Sequence, residues 1–125
     1  MPQDNPLSIE ALDATIIAQL TEEERQRSAV YVNQSPLPAG SIKVGGSMVT
    51  IDHPSVMAFI DRMPGATWMH PCRYLLIDQN NKQIVFVDSD RPPVFGPLPP
   101  TWRIAWKSPG VSDWQLIRIA TEPTK

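Results

Sequence analysis

The chain has one cysteine, two histidines and no apolar run near the roughly 20 residues that cross a bilayer. The lone Cys72 excludes an intrachain disulfide and fits a reducing compartment. The start, Met1-Pro-Gln-Asp-Asn-Pro6, is polar, carries no basic residue and precedes no apolar segment, so no secretory signal is visible and a cytoplasmic location is expected. No glycine-rich phosphate loop, G-x-S-x-G, H-E-x-x-H or pairing of carboxylates at useful spacing occurs. A charge of one sign is missing too. The net charge is −2; residues 1–61 hold eight acids against three bases, and residues 62–125 five acids against eight bases, which is a mild polarity and no basic tract.

What is present is enough for a core. Hydrophobic residues make up 42% and charged residues 19% of 125 positions, which suits one globular domain over 1–125 with a flexible arm at 1–7. Proline is the outlier at 14 residues, five of them between Pro92 and Pro100, and each marks a break between elements.

The clearest local signal is Cys72–Asp90. Two apolar runs, Tyr74–Ile77 and Ile84–Val87, flank Gln79-Asn80-Asn81-Lys82, the pattern of a β-hairpin. With Asn80-Asn81 at the tip, Ile77 faces Ile84, Leu75 faces Phe86 and Arg73 faces Asp88. Both faces are then apolar, which predicts a hairpin central in a sheet and covered on both sides.

Upstream, Ser8 caps a helix whose apolar stripe is Ile9, Leu12, Ile16 and Leu20. Thr21 with Glu24 forms a capping box, so the helix kinks or restarts there, and Glu22–Glu24 read as a solvated helix start. Ala29–Asn33 fits helix or strand. Ser41–Asp52 reads as strand interrupted at Gly45-Gly46 by a bulge or tight hairpin. Asp52 or His53 followed by Pro54 has the form of a helix start, and Val56, Phe59, Ile60 and Met63 predict a short helix over about 54–63. Arg91–Pro100 is expected to run extended, partly as polyproline II. Trp102–Lys107 alternates, with Trp102, Ile104 and Trp106 on one side, and Trp114–Ala120 closes the sheet. The expected fold is α+β: a mostly antiparallel sheet of four to six strands, with the N-terminal helix and the 54–63 helix packed on one face.

No motif identifies an activity. The favoured function is a protein-binding accessory domain, adaptor or inhibitor in type, with no evident active site and with homo-oligomers allowed. Its binding residues are taken from the stiff proline-rich segment: Arg91, Pro92, Pro93, Phe95, Pro97, Pro99, Pro100 and Trp102. Pro97-x-x-Pro100 has the form of a ligand for an aromatic groove, although Arg91 and Arg103 are poorly placed for that role, and a plain crossover is the simpler reading. One alternative is a thiol-dependent enzyme using Cys72 with His70 or His53, starting from the run Trp68-Met-His70-Pro-Cys72-Arg73; against it, free cysteine is usually a buried hydrophobe. A second alternative is a small-ligand pocket under the 54–63 helix, lined by Met48, Met57, Phe59 and Met63. His53, His70 and Cys72, with Asp52, match no zinc spacing, so neither metal nor cofactor is expected. Trp102, Trp106 and Trp114 interleave with Arg103, Lys107 and Arg118, yet the segregation of aromatic from basic parity and the acidic balance argue against nucleic acid.

Overall fold

A computed structural model describes residues 8–66 and 69–121. The N-terminal arm at 1–7 and Trp68 lie outside the described residues. Two helices, α1 (Ile9–Ala18) and α2 (Glu22–Arg27), precede seven strands: β1 (Ala29–Leu37), β2 (Gly40–Val44), β3 (Ser47–Ile51), β4 (Ser55–Asp61), β5 (Cys72–Asp78), β6 (Ile84–Ser89) and β7 (Trp102–Lys107). A five-stranded antiparallel sheet runs in the order β6-β5-β4-β1-β7, and β2 pairs with β3 in a separate hairpin. The architecture is α+β with a mostly antiparallel sheet.

Local chemistry explains the helices. The Ser8 hydroxyl accepts from the Ala11 amide, and Leu12, Ile16 and Leu20 turn inward. At α2 both arms of the capping box form: the Glu24 carboxylate accepts from the Thr21 amide at 2.9 Å, and the Thr21 hydroxyl from the Glu24 amide at 3.1 Å. Glu24 does not stay in solvent as the sequence reading had it. It is 2% exposed and accepts from Arg62 Nε at 2.7 Å and Arg73 Nη2 at 2.7 Å, which ties α2 to β5.

The region expected as a helix at 54–63 is the central strand, β4. All seven of its residues are buried, between β1 and β5. An unbroken apolar run such as Val56–Ile60 satisfies helical spacing and strand spacing alike, so periodicity does not separate them. Burial on both faces decides it, because a short amphipathic helix hides only one stripe. Pro54 sits just before the strand, where no ladder donor is missed. These residues therefore do not line a pocket beneath a helix: Met57 and Phe59 are strand core, while Met48 and Met63 are exposed.

The β5–β6 register matches expectation pair for pair, with Ile77 opposite Ile84, Leu75 opposite Phe86 and Arg73 opposite Asp88. Only β5 is covered on both faces. β6 is an edge strand, with Val85 and Phe86 exposed. Ala29–Leu37 resolves to strand, and Gly45-Gly46 is the turn of the β2–β3 hairpin. In β7 a register shift occurs between Ile104 and Trp106, so Trp102 joins the core on one face and Trp106 packs on the other. Residues 114–120 do not form a strand. A single 3-10 turn, Asp113–Gln115, leads to an isolated parallel bridge between Ile119 and Leu98.

The sheet thus has two apolar faces. One carries α1 over Val30, Val32, Val56, Ala58, Ile60 and Leu75. The other carries the β2–β3 hairpin, the proline-rich strap and the C-terminal segment over Tyr31, Phe59, Tyr74, Leu76 and Trp102. Connecting β6 to β7 means joining the two edges of the sheet, so the strap crosses all five strands, roughly 19 Å at the usual interstrand spacing. It bends at 93–97 and turns again where the Trp102 amide donates to the Pro99 carbonyl.

Candidate functional site

A row of aromatic rings across three strands positions the site. Tyr31, Phe59 and Tyr74 are cross-strand partners on β1, β4 and β5, with ring centroids 5.9 and 5.1 Å apart. The two tyrosine hydroxyls hold what lies above. Tyr74 donates to the Arg91 carbonyl at 2.6 Å, and the Tyr31 oxygen accepts from the Ile117 amide at 2.8 Å. Burial raises both phenols, Tyr31 to about 12, so they work as neutral hydrogen-bonding groups. One tyrosine pins the start of the strap and the other pins the C-terminal segment. Between them Leu98 is fully buried, its amide donating to the Arg118 carbonyl and its carbonyl accepting from Ala120.

Where these two segments part, a cleft of about 380 Å³ opens. Asp61, the last residue of β4, and His70 line its floor, and Phe95 and Trp114 line its sides. The Asp61 side chain is only 3% exposed, and its Oδ1 lies 2.7 Å from His70 Nε2 and accepts from the Met63 amide at 2.9 Å. Phe95, at the tip of the strap, and Trp114, on the 3-10 turn, are each 78% exposed. Gln115 steadies that turn by donating to the Pro64 carbonyl and accepting from the Ser112 amide. Trp114 also borders a second cleft of about 420 Å³ reaching Arg62 and Met63, and Phe95 borders a third of about 420 Å³ reaching Lys43 and Gly46. These two aromatics are the corners at which the concave surfaces meet.

Of the residues singled out as catalytic, His70 reaches this cleft and the others do not join it. Cys72 is 1% exposed and donates to the Arg91 carbonyl at 3.3 Å. Burial pushes its thiol up to about 11, so it is protonated at neutral pH and a poor nucleophile. His70 Nε2 engages Asp61. His53 sits at the far end of the sheet, bonded to Asp78 at 2.8 Å, a strand length from Cys72, or on the order of 20 Å. Burial would raise the Asp78 carboxyl, but the Asn80 and Asn81 amides and His53 outweigh it and hold the carboxyl below its usual range. Among the described residues no three His, Cys, Asp or Glu side chains group as metal ligands.

The proline-rich candidates divide. Phe95, Pro97, Pro99 and Pro100 are exposed; Pro92 and Pro93 are half-buried against the sheet. Arg91 is exposed beside Gly46, and its carbonyl holds the strap down. Trp102 is 6% exposed and belongs to the core. Buried Leu98 interrupts the P-x-x-P stretch. The interleaved tryptophans and bases share no surface: Trp102 and Trp106 face opposite ways, and Arg103 is a bidentate partner of Asp13 on α1.

Sequence reasoning missed Asp61, Tyr31 and Tyr74 as site residues, and weighed Trp114 only as part of a nucleic-acid surface. A carboxylate closing an apolar run was the available signal for Asp61, hidden while that run was read as a helix. No protein-family model, curated protein or solved structure matches the chain.

Proposed function

We propose that this protein works by binding another protein, and that its contact site is the cleft between Phe95 and Trp114. The observation that carries this is the exposure of two large aromatic side chains, each at 78%, on segments whose backbones are pinned to the sheet by Tyr74, Tyr31 and Leu98. Exposed aromatics on a fixed backbone lose little entropy on association, and aromatic anchors around a desolvated pocket dominate binding energy at protein interfaces. The cleft volume suits one large side chain of a partner segment, with the Asp61–His70 pair as a polar floor to orient it. The proline-rich strap serves here as the scaffold for Phe95, and its prolines are not themselves the recognised ligand. Among the described residues no helix is long and apolar enough to cross a membrane. A cytoplasmic location belongs to the same proposal, supported by the protein's single, buried thiol.

Selection of a random peptide library on the immobilised protein tests this. The expected result is peptides enriched in aromatic or long apolar residues whose affinity falls at least about tenfold in Phe95→Ala and in Trp114→Ala. Both variants should melt with the wild type, because neither side chain is in the core. Selected peptides that bind both variants as tightly as the wild type would overturn the proposal.

A further inference from the structure

The outer edge of the sheet at β6 is built differently from the opposite edge at β7. β7 carries a bulge, Arg103 and Lys107, and prolines stand on either side at Pro99, Pro100 and Pro109. Those features blunt an edge strand. β6 is less protected: it has no proline and no bulge, its one charged residue, Asp88, sits next to its end, and Val85 and Phe86 are 39% and 48% exposed. Among the described residues only β5 pairs with it.

The phase of the ladder shows which main-chain groups of β6 point away from the sheet. The Asp78 amide donates to the Gln83 carbonyl at 2.9 Å. Hydrogen-bonded pairs alternate along an antiparallel ladder, so in this register Val85, Val87 and Ser89 bond to β5, and Ile84, Phe86 and Asp88 turn N–H and C=O outward.

We infer that β6 is a self-association edge, pairing antiparallel with β6 of a second copy about a twofold axis at Phe86. That register sets Phe86 against Phe86 of the second copy as a hydrogen-bonded pair and Ile84 against Asp88 on either side. The outward groups of all three residues meet in phase, giving about six main-chain hydrogen bonds. Val85 falls opposite Val87 of the second copy on the other face, and Lys82, in the turn before β6, and Asp90, just past its end, flank the contact so that opposite charges lie near each other at both ends. An isologous contact of this kind closes on itself and joins two five-stranded sheets into one of ten. Phe86 is already ordered for it, with the Arg73 guanidinium 5.3 Å above its ring. The contact uses the strand edge and neither Phe95 nor Trp114, so it stands or falls apart from the cleft proposal.

An edge-to-edge contact of one short strand is below the area of a permanent dimer, so association should depend on concentration. Sedimentation equilibrium on the full chain, from low micromolar to about 0.5 mM, should show the mass rising from 14.0 kDa toward twice that value. Hydrogen exchange at the same concentrations should show the Ile84, Phe86 and Asp88 amides gaining protection as the mass rises. Phe86→Lys places like charges at the axis and should hold the protein monomeric; because it also sets a cation beside Arg73, circular dichroism checks that the variant keeps its fold. Lys82→Glu should weaken association, and Lys82→Glu with Asp90→Lys should restore it. A mass fixed at the monomer throughout overturns the inference, as does a dimer that Phe86→Lys leaves intact.

Discussion

Glu24 is the most demanding electrostatic arrangement in the fold, and changing it to glutamine tests the account directly. The carboxylate is 2% exposed and faces two guanidiniums, Arg73 at 12% side-chain exposure and Arg62 at 33%. Removing one member of a buried ion pair costs about 3–5 kcal/mol, because the remaining charge stays desolvated without a partner. Arg62 can turn to water and Arg73 cannot, since its Nη2 is also fixed on the Gln19 carbonyl. Glutamine at this position still closes the capping box. Glu24→Gln should therefore isolate the charge effect at about 2–3 kcal/mol, whereas Glu24→Ala also loses the cap and should reach about 3–5 kcal/mol. Against a total stability of roughly 5–15 kcal/mol, either change is readily measured by urea unfolding followed through tryptophan fluorescence.

The pH dependence gives an independent reading of the same group. Burial alone would raise the Glu24 carboxyl, but the Thr21 amide and the Arg62 and Arg73 side chains outweigh it and hold the carboxyl below its ordinary value of 4.5. The unfolded chain therefore takes up this proton at higher pH than the folded one. The stabilisation is complete above the unfolded value and is lost as pH falls through the lower folded value. Below about pH 4.5 the wild type should lose stability more steeply than Glu24→Gln. Arg73→Ala should cost more than Arg62→Ala. A Glu24→Gln protein within about 0.5 kcal/mol of wild type at pH 7, with an unchanged acid slope, would refute this account of the cluster.

Four further outcomes follow from the packing. A Cβ at Gly45 would stand 2.5 Å from Ser89 Oγ and 2.8 Å from Tyr74 Cε1, at φ +56°, so Gly45→Ala should cost about 2–3 kcal/mol. Gly110→Ala, with open space around it, should stay within about 0.5 kcal/mol of wild type, both glycine variants being measured by the same urea unfolding. At pH 8 the raised thiol pKa alone should slow alkylation of Cys72 about 100-fold relative to the unfolded chain, measured by mass spectrometry with and without urea; a fast native reaction would contradict the burial described. Asp13→Ala removes both hydrogen bonds to Arg103 and should cost about 1–2 kcal/mol, the loss shrinking in high salt.

The parts of the fold that sequence reasoning reached are those written in neighbouring residues. Asn80-Asn81 between two apolar runs was enough to place every pair of the β5–β6 ladder, and Thr21 with Glu24 was enough for the capping box. The parts it missed depend on what lies across the sheet. Val56–Ile60 is strand because β1 and β5 bury both of its faces, and nothing within the run itself says so. The alternation of Trp102–Lys107 looked unbroken, but pairing with Val30 and Tyr31 forces a bulge and sends Trp106 to the helix side. The fate of Glu24 was half legible: the capping box bends its side chain back over the first turn, but the two arginines that neutralise it come from positions 62 and 73.

The candidate site follows from β4 being a strand. Alternation places Met57, Phe59 and Asp61 on one face, the face the strap crosses. Phe59 stacks between two tyrosines there, and their hydroxyls are the only polar atoms of that aromatic row able to hold main chain above it. Asp61 reaches the same face at the strand's end, where a buried carboxylate must find a donor, and His70 lies at the open end of the neighbouring hairpin to meet it. Phe95 and Trp114 come together through the single bridge between Leu98 and Ile119. That bridge forms only because the strap has to cross the sheet from edge to edge, and a chain spanning that distance with five prolines has few ways to lie flat. Its bends at 93–97 lift Phe95 off the core, and the same bends open the cleft beside it.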